Sequence, residues 1–228
     1  MIAPNNMITL ENITKSYKMG KRDLVVLKGI NLQVKKGELV AIMGASGSGK
    51  TTMLNIVGCL DRPSTGKYYF EDKEVSRLKS SELAAIRGKS IGFIFQTFNL
   101  LSRITALANV ELGMTYAGGV NRKAAIEALG KVGLDKRLHH RPLELSGGGQ
   151  QRVAIARAIV KDPALFLCDE PTGQLDSSSG EEVMSILLSL HAERGTTLII
   201  VTHDATVAHR CQRIIHIKDG QIIAEENL

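Results

Sequence analysis

Residues 44–51 read GASGSGKT, two glycines enclosing four residues and followed by a lysine and a threonine, directly after the apolar run 39–43. A loop of this kind between a strand and a helix is built to hold phosphate. Gly44, Gly47 and Gly49 let the backbone curl until its N–H groups point inward. Ala45, Ser46 and Ser48 belong to the same cradle, and a helix opening at Lys50 adds its positive N-terminal end. Lys50 is expected to reach the β- and γ-phosphates of a nucleoside triphosphate. Thr51 is expected to offer its hydroxyl to Mg²⁺, and Thr52 to add a phosphate contact from the first helical turn.

A metal held against phosphate needs an acidic partner, and 164–170 (ALFLCDE) supplies an apolar strand ending in two carboxylates. Asp169 is the expected Mg²⁺ partner. Glu170, where the chain leaves the strand, is placed to orient and deprotonate an attacking water. A second anion site is expected at Leu145-Ser146-Gly147-Gly148-Gly149-Gln150, a serine and three glycines directly before a helix over about 151–160. One triphosphate in one fold rarely needs two cradles. His203 follows the run TLIIVT, where a neutral imidazole can contact a γ-phosphate or a water, although a histidine at a strand end is commonly a surface residue.

The elements that must carry these residues alternate between strand and helix. Runs 7–13, 24–34 and 38–43 read as strands, 50–58 as a helix, 66–75 as a hairpin turning at Glu71-Asp72, and 91–95 (IGFIF) as a strand. From about 97 to 160 strand signals are few and helical spacing prevails, over 106–112, 122–132 and 151–160. Nearly continuous apolar runs return at 164–168 and 197–201, as in parallel strands covered on both faces. Between them Ser178 and Ser179 each stand three residues before a glutamate, Glu181 and Glu182, a capping-box arrangement for a helix lined by Val183, Ile186, Leu187 and Leu190. Residues 213–224 read as a closing hairpin turning at Asp219-Gly220.

Composition bounds the rest. With 228 residues, 43% hydrophobic and 23% charged, the chain can bury a sizeable core. Its apolar runs fall well short of the roughly 20 residues needed to span a bilayer. No leader pattern opens the chain, so the cytoplasm is expected. Three cysteines without a CxxC pair suit neither a disulfide framework nor a thiolate metal site, and His203 and His209 lack the spacing of a helical zinc pair. The net charge of +6 is scattered along the chain, which gives no specific reason to expect nucleic acid.

From about residue 7 to 223 the sequence resembles the ATP-binding-cassette ATPases, and the order of its motifs carries the resemblance. Tyr17 is similar to the aromatic that stacks on adenine, GASGSGKT to the P-loop, and Gln96 after IGFIF to the Q-loop glutamine. LSGGGQ is similar to the signature, ALFLCDE to the second nucleotide motif, Gly173-Gln174-Leu175-Asp176 to the D-loop, and His203 to the switch histidine. The resemblance implies an α/β P-loop NTPase core with a mostly parallel sheet, an N-terminal antiparallel β subdomain and an inserted helical subdomain. Residues 1–96 and 157–228 would form the core and about 97–156 the helical part carrying the signature.

It further implies Glu170, His203, Lys50 and Gln96 as catalytic residues, and Thr51, Gln96 and Asp169 as metal ligands. Tyr17, the P-loop through Thr52, Ser146, Gly147, Gly148 and Asp176 would contact ATP. Two such chains pair head to tail in that family, each signature covering the ATP held by the other's P-loop, and drive a membrane partner. GCLDRPSTG (58–66), IGFIFQTFNLL (91–101) and DEPTG (169–173) look most like the macrolide-export and lipoprotein-release group. The implied partner is a separate integral membrane permease, with the ATPase peripheral on the inner face of the membrane and not inserted in it.

Two positions depart from the family pattern: Gly149 stands where Gln or Glu is usual, and Gln174 where a small residue or Asn is usual. Activity is expected to survive both departures, and dimer affinity or coupling is where an effect would show. Competing readings are a cell-envelope signalling ATPase of the cell-division type and a soluble cassette acting on nucleic acid or ribosomes. The second would ordinarily carry a long coiled-coil insertion or two cassettes, and neither is visible.

Overall fold

Why strands dominate the N-terminal third is visible in their alternation. In the computed structural model, which describes residues 5–20, 22–115 and 117–228, β1 (Asn6–Met19) and β2 (Arg22–Lys35) form a long antiparallel hairpin. Residues 1–4, on which part of the leader argument rests, lie outside the described residues. Leu27, Ile30, Leu32 and Val34 of β2 point inward while their neighbours face solvent, the period of a half-buried strand. The elements that follow are β3 (Leu39–Met43), α1 (Lys50–Val57), β4 (Thr65–Phe70), β5 (Lys73–Glu74), α2 (Ser80–Ser90) and β6 (Ile91–Phe95). Next come α3 (Ala106–Leu112), α4 (Arg122–Lys131), α5 (Gly147–Ile159), β7 (Leu165–Asp169), α6 (Ser177–Arg194), β8 (Thr197–Val201), α7 (Ala205–Ala208), β9 (Arg213–Lys218) and β10 (Gln221–Asn227).

The chain divides into two compact units, Met1–Ala84 with Thr197–Leu228, and Ala85–Thr196, with α2 running across the division. In the first unit β2, β1, β4 and β5 make an antiparallel sheet in that order. Beside it in sequence, β3 pairs in parallel with both β8 and β9, and β10 folds back antiparallel on β9. Every residue of β8, and all of β3 but its last, is buried, which is why these strands read as unbroken apolar runs. In open α/β sheets ligands bind at the carboxyl ends of the strands. Here Val201, the last residue of β8, pairs with Ile42, and Thr202 N–H donates to Ile42 O at 3.1 Å.

In the second unit β6 and β7 run parallel, with Phe95 level with Asp169. Helices α3, α4 and α5 lie between these strands in the chain. Helix α5 packs against α3, α4, α6 and β6 and buries Val153, Ala154, Ile155, Ala156, Ala158 and Ile159, so it is apolar on most sides. The fold class is therefore α/β, with parallel strands, an antiparallel N-terminal sheet and a helical segment between β6 and β7.

Two local readings are corrected, and one helix has no reading at all. Helix α2 has no sequence signature because only Leu83 is buried along it, and a helix without an apolar stripe shows no periodicity. Helix α5 starts at Gly147, four residues earlier than the 151–160 reading, because Ser146 caps it and the glycines form its first turn. Helix α6 is capped by Asp176, whose carboxylate accepts from Ser179 N–H at 3.0 Å. Ser178 and Ser179 are therefore helical residues, not caps. Aspartate and serine are comparably good caps, and here the Asp176 carboxylate takes the Ser179 N–H, which starts the helix at Ser177. Among the described residues no helix is long and apolar enough to cross a membrane. All three cysteines are buried and none is in a disulfide.

Candidate nucleotide-binding site

The phosphate loop is shaped by contacts at its back. A Cβ on Gly44 would lie 2.2 Å from Ile217 O and 2.7 Å from Ser48 Oγ, so only glycine fits between β3 and β9. Gly49 sits at φ +105° as the N-cap of α1 with no side-chain cap bond, and the first turn of α1 holds no acidic residue. Its N–H groups thus remain for an anion. Lys50 Nζ donates to Gly44 O at 2.7 Å and Ala45 O at 2.9 Å, folded over the loop where phosphate oxygens can replace those carbonyls. The Ser48 hydroxyl is buried with no hydrogen-bond partner. Ala45, Ser46 and Gly47 form the exposed crest, and Thr51 follows, exposed.

The loop is also held by a turn that sequence reasoning treated only as a hairpin closure. Gly220, at φ +80°, donates its N–H to Ser48 O at 3.0 Å and accepts from Lys28 N–H at 2.9 Å. A Cβ there would stand 2.1 Å from Val26 O. The turn between β9 and β10 is thereby wedged between β2 and the phosphate loop. No local signal announces this, since the partners lie some 170 to 190 positions away in sequence.

Within the same unit, His203 leaves β8 beside the phosphate loop and is exposed. Asp204, next to it, caps α7 through Thr206 N–H at 2.8 Å. The Thr206 hydroxyl and N–H hold the Asp204 carboxyl below its ordinary range. Tyr17 lies on β1 opposite Leu24, and its phenol donates to Asp61 Oδ2 at 2.9 Å.

The acidic residues lie in the second unit. The β6–β7 register brings Gln96 and Glu170 off neighbouring strand ends, one residue beyond the Phe95–Asp169 pair. Glu170 has φ +46°, a left-handed conformation unusual for glutamate and of the kind that clusters at functional sites. A Cβ on Gly173 would lie 2.7 Å from Gln96 Nε2 and 3.4 Å from Glu170 Cβ, so Gly173 is what lets these residues share one corner.

Gln151 ties that corner to the signature helix, a role hidden in the sequence, where it is one of two adjacent glutamines. It is fully buried and donates through Nε2 to Pro171 O at 2.6 Å and Phe95 O at 3.3 Å. Arg157, one turn and a half further along α5, donates to Asn99 O at 2.5 Å and Phe98 O at 2.8 Å. Those two residues are both left-handed, at φ +50° and +57°. The segment after Gln96 is therefore held from α5 at both ends.

The signature serine caps its own helix, Ser146 Oγ accepting from Gly149 N–H at 3.2 Å. Gly148 lies where a Cβ would meet Ser179 Cβ at 2.9 Å, and Gly147 where one would meet Leu175 Cδ2 at 3.4 Å. The D-loop and the signature are thus neighbours. A side chain at 149 would meet Leu145 Cβ at 3.2 Å, so the unusual glycine relieves a tight position. Asp176 accepts from Ser178 Oγ at 2.6 Å and Ser179 Oγ at 2.8 Å. The two serines' hydroxyls and the Ser179 N–H hold its carboxyl far below the ordinary range, so it stays charged at any physiological pH.

Comparison with known proteins decides what this arrangement belongs to. The family model described as ABC transporter matches residues 27–173. The chain belongs to the ABC transporter family. It is 50% identical to an uncharacterized ABC transporter ATP-binding protein, MJ0796, of Methanocaldococcus jannaschii, covering 97% of each chain. It is 53% identical to the macrolide export ATP-binding/permease protein MacB of Bartonella henselae, over 96% of this chain and 34% of that protein. The chain therefore spans about a third of the length of the MacB relatives it matches. A solved dimeric structure of the MJ0796 cassette, in a post-hydrolysis state with ADP and Pi, superposes with a TM-score of 0.91 at 48% identity, covering 97% of this chain and 99% of that one.

Two substitutions test the supports of this cassette. Gly220→Ala forces the β9–β10 turn away from Val26 and strains a left-handed position, so a loss of about 2 kcal/mol in unfolding free energy is expected. ATP affinity should fall with it, read by denaturant titration and by nucleotide binding. Gln151→Ala takes away the short hydrogen bond to Pro171 O, while Phe95 O keeps the Phe98 N–H, and should cost about 1–3 kcal/mol. Gln151→Glu, which cannot donate, should cost at least as much in the same melt.

Proposed function

We propose that this cassette binds and hydrolyses ATP as the nucleotide-dependent motor of a membrane exporter, pairing head to tail with a second copy around two ATP molecules. The observation that carries this reading is the presence of two phosphate-seeking helix starts, each free of acidic residues in its first turn. One is Gly49–Lys50 in the first unit and the other Ser146–Gly148 in the second. The P-loop serves the chain's own ATP, and the signature covers the ATP of the partner copy. The dimeric MJ0796 cassette, in a post-hydrolysis state with ADP and Pi, supports the pairing and the hydrolysis.

In this account the backbone of 44–49, Lys50 and Thr52 bind the phosphates and Tyr17 stacks on the base. Ser146, Gly147 and Gly148 close over the partner's γ-phosphate, with Asp176 beside them. Glu170 orients the attacking water and takes its proton, Gln96 helps to position that water, and His203 senses the γ-phosphate. Thr51, Gln96 and Asp169 offer only hard oxygen donors, a set that fits Mg²⁺ and not a thiolate- or imidazole-bound metal. When bound there, the ion would neutralise charge on the β- and γ-phosphates. MacB relatives carry the words ATP-binding and permease in one name, and by analogy the partner here is an integral membrane permease. The cassette then works at the inner face of the membrane.

Replacing Glu170 with glutamine keeps the size and hydrogen-bonding shape of the side chain but removes the proton acceptor. Glu170→Gln should therefore bind ATP and hydrolyse it ~100-fold or more slowly. It should accumulate as an ATP-bound dimer in sedimentation velocity. A species that stays monomeric at saturating ATP would contradict the sandwich.

A further inference from the structure

Tyr17 does not stand alone on its strand. Lys15, two residues earlier and so on the same face of β1, is 9% exposed and directs its ammonium at the Tyr17 ring, 4.8 Å from the centroid. The same Nζ donates to Asp61 Oδ1 at 2.7 Å and to Arg62 O at 2.8 Å. An ammonium has three protons, and each is directed at a partner. Asp61 is equally committed: Oδ1 also accepts from Arg62 N–H at 2.7 Å, and Oδ2 accepts from the Tyr17 phenol at 2.9 Å. Lysine, aspartate and tyrosine close a triangle, with the carboxylate bridging the cation and the phenol.

A buried ion pair is a weak reason for stability, because desolvating both charges offsets most of their attraction. What this triangle does supply is orientation. The ammonium covers one face of the ring, the carboxylate fixes its hydroxyl edge, and the ring remains 38% exposed. A surface tyrosine ordinarily samples several rotamers, and a ligand that stacks on it must freeze them. A ring frozen beforehand spares the ligand that entropy. A cation against one face also draws π-density toward itself, which leaves the opposite face suited to an electron-rich purine.

We propose that Lys15 and Asp61 are positioning residues that hold Tyr17 as a preformed stacking platform for the base of a purine nucleoside triphosphate. The proposal rests on the reading of Tyr17 as the base-stacking residue. The phenol proton is spent on Asp61, so this platform reads the π-face of the base and not its edge, and ATP and GTP gain from it alike. Burial first, and then Asp61, push the Tyr17 phenol above its ordinary range, so it remains a donor throughout physiological pH. Burial alone would raise the Asp61 carboxyl, yet Lys15, the Arg62 N–H and the phenol together keep it below its ordinary range.

The test measures displacement of a fluorescent ATP analogue from the 228-residue chain by ATP, by GTP and by inorganic tripolyphosphate, which has phosphates but no base. Tyr17→Ala should weaken both nucleotides ~20-fold, within the range of base–aromatic stacking. Lys15→Met and Asp61→Asn should each weaken them about fivefold, and Tyr17→Phe, which keeps the ring and loses the tether, about threefold. None should move tripolyphosphate by more than about twofold, and neither Lys15→Met nor Asp61→Asn should add a further loss to Tyr17→Ala. Nucleotide affinities within about twofold of the parent for Lys15→Met and Asp61→Asn, with Tyr17→Ala weakened, would overturn the positioning role and leave the platform standing. Equal losses for ATP and tripolyphosphate would mark the triangle as merely structural and overturn it too. Unchanged affinity in Tyr17→Ala would remove the platform reading itself.

Discussion

A triphosphate brings a dense cluster of negative charge, and the cheapest way for a protein to meet it is with backbone N–H groups that nothing else has claimed. The rest of this chain is arranged around that requirement. At the phosphate loop it dictates glycines. Gly44 and Gly49 are forced by the close approach of β9 and β2 behind the loop as much as by the loop's own curl. The unclaimed N–H groups of α1 then face outward because no side chain caps them. At the signature the same requirement takes a different form. Ser146 consumes only the Gly149 N–H, leaving those of Gly147 and Gly148.

The phosphate loop and the acidic corner are supported in opposite ways. The phosphate loop is braced by backbone, through Ser48, Gly220 and Lys28, where any side chain at the glycine would intrude. The acidic corner is braced by side chains from one helix, Gln151 and Arg157 of α5, which reach the carbonyls of Phe95, Phe98, Asn99 and Pro171. A shift of α5 at the signature therefore reaches the segment after Gln96 directly. That physical linkage suits the motor role proposed for the cassette.

What could be read from the sequence was local or rigidly periodic. The phosphate loop, the Asp169-Glu170 strand end and the buried parallel strands each show in a stretch of ten residues or fewer. Lys15, Asp61, Gln151 and Gly220 did not, because their partners lie far along the chain and each looks ordinary in place. Caps were misjudged where two candidates compete within one turn. Asp176 prevails over Ser178 and Ser179, and the run Gly147–Gly149 proved helical despite three residues of low helix propensity, since Ser146 and the packing of α5 compensate. Helix α2 was invisible for want of a buried stripe.

The claim on which the account turns is that one copy's P-loop works with the other copy's signature. Chains bearing Lys50→Ala and chains bearing Ser146→Asp can be mixed in the slow Glu170→Gln background, and the ATP retained after rapid desalting counted per dimer. Aspartate caps a helix as well as serine does, so the second change keeps α5 while placing a negative charge where the phosphate must sit. Neither chain should retain ATP alone, and the mixture should retain one ATP per mixed dimer, in the single pocket that joins an intact Lys50 to an intact Ser146. A mixture that retains no more ATP than its separate components would contradict the account.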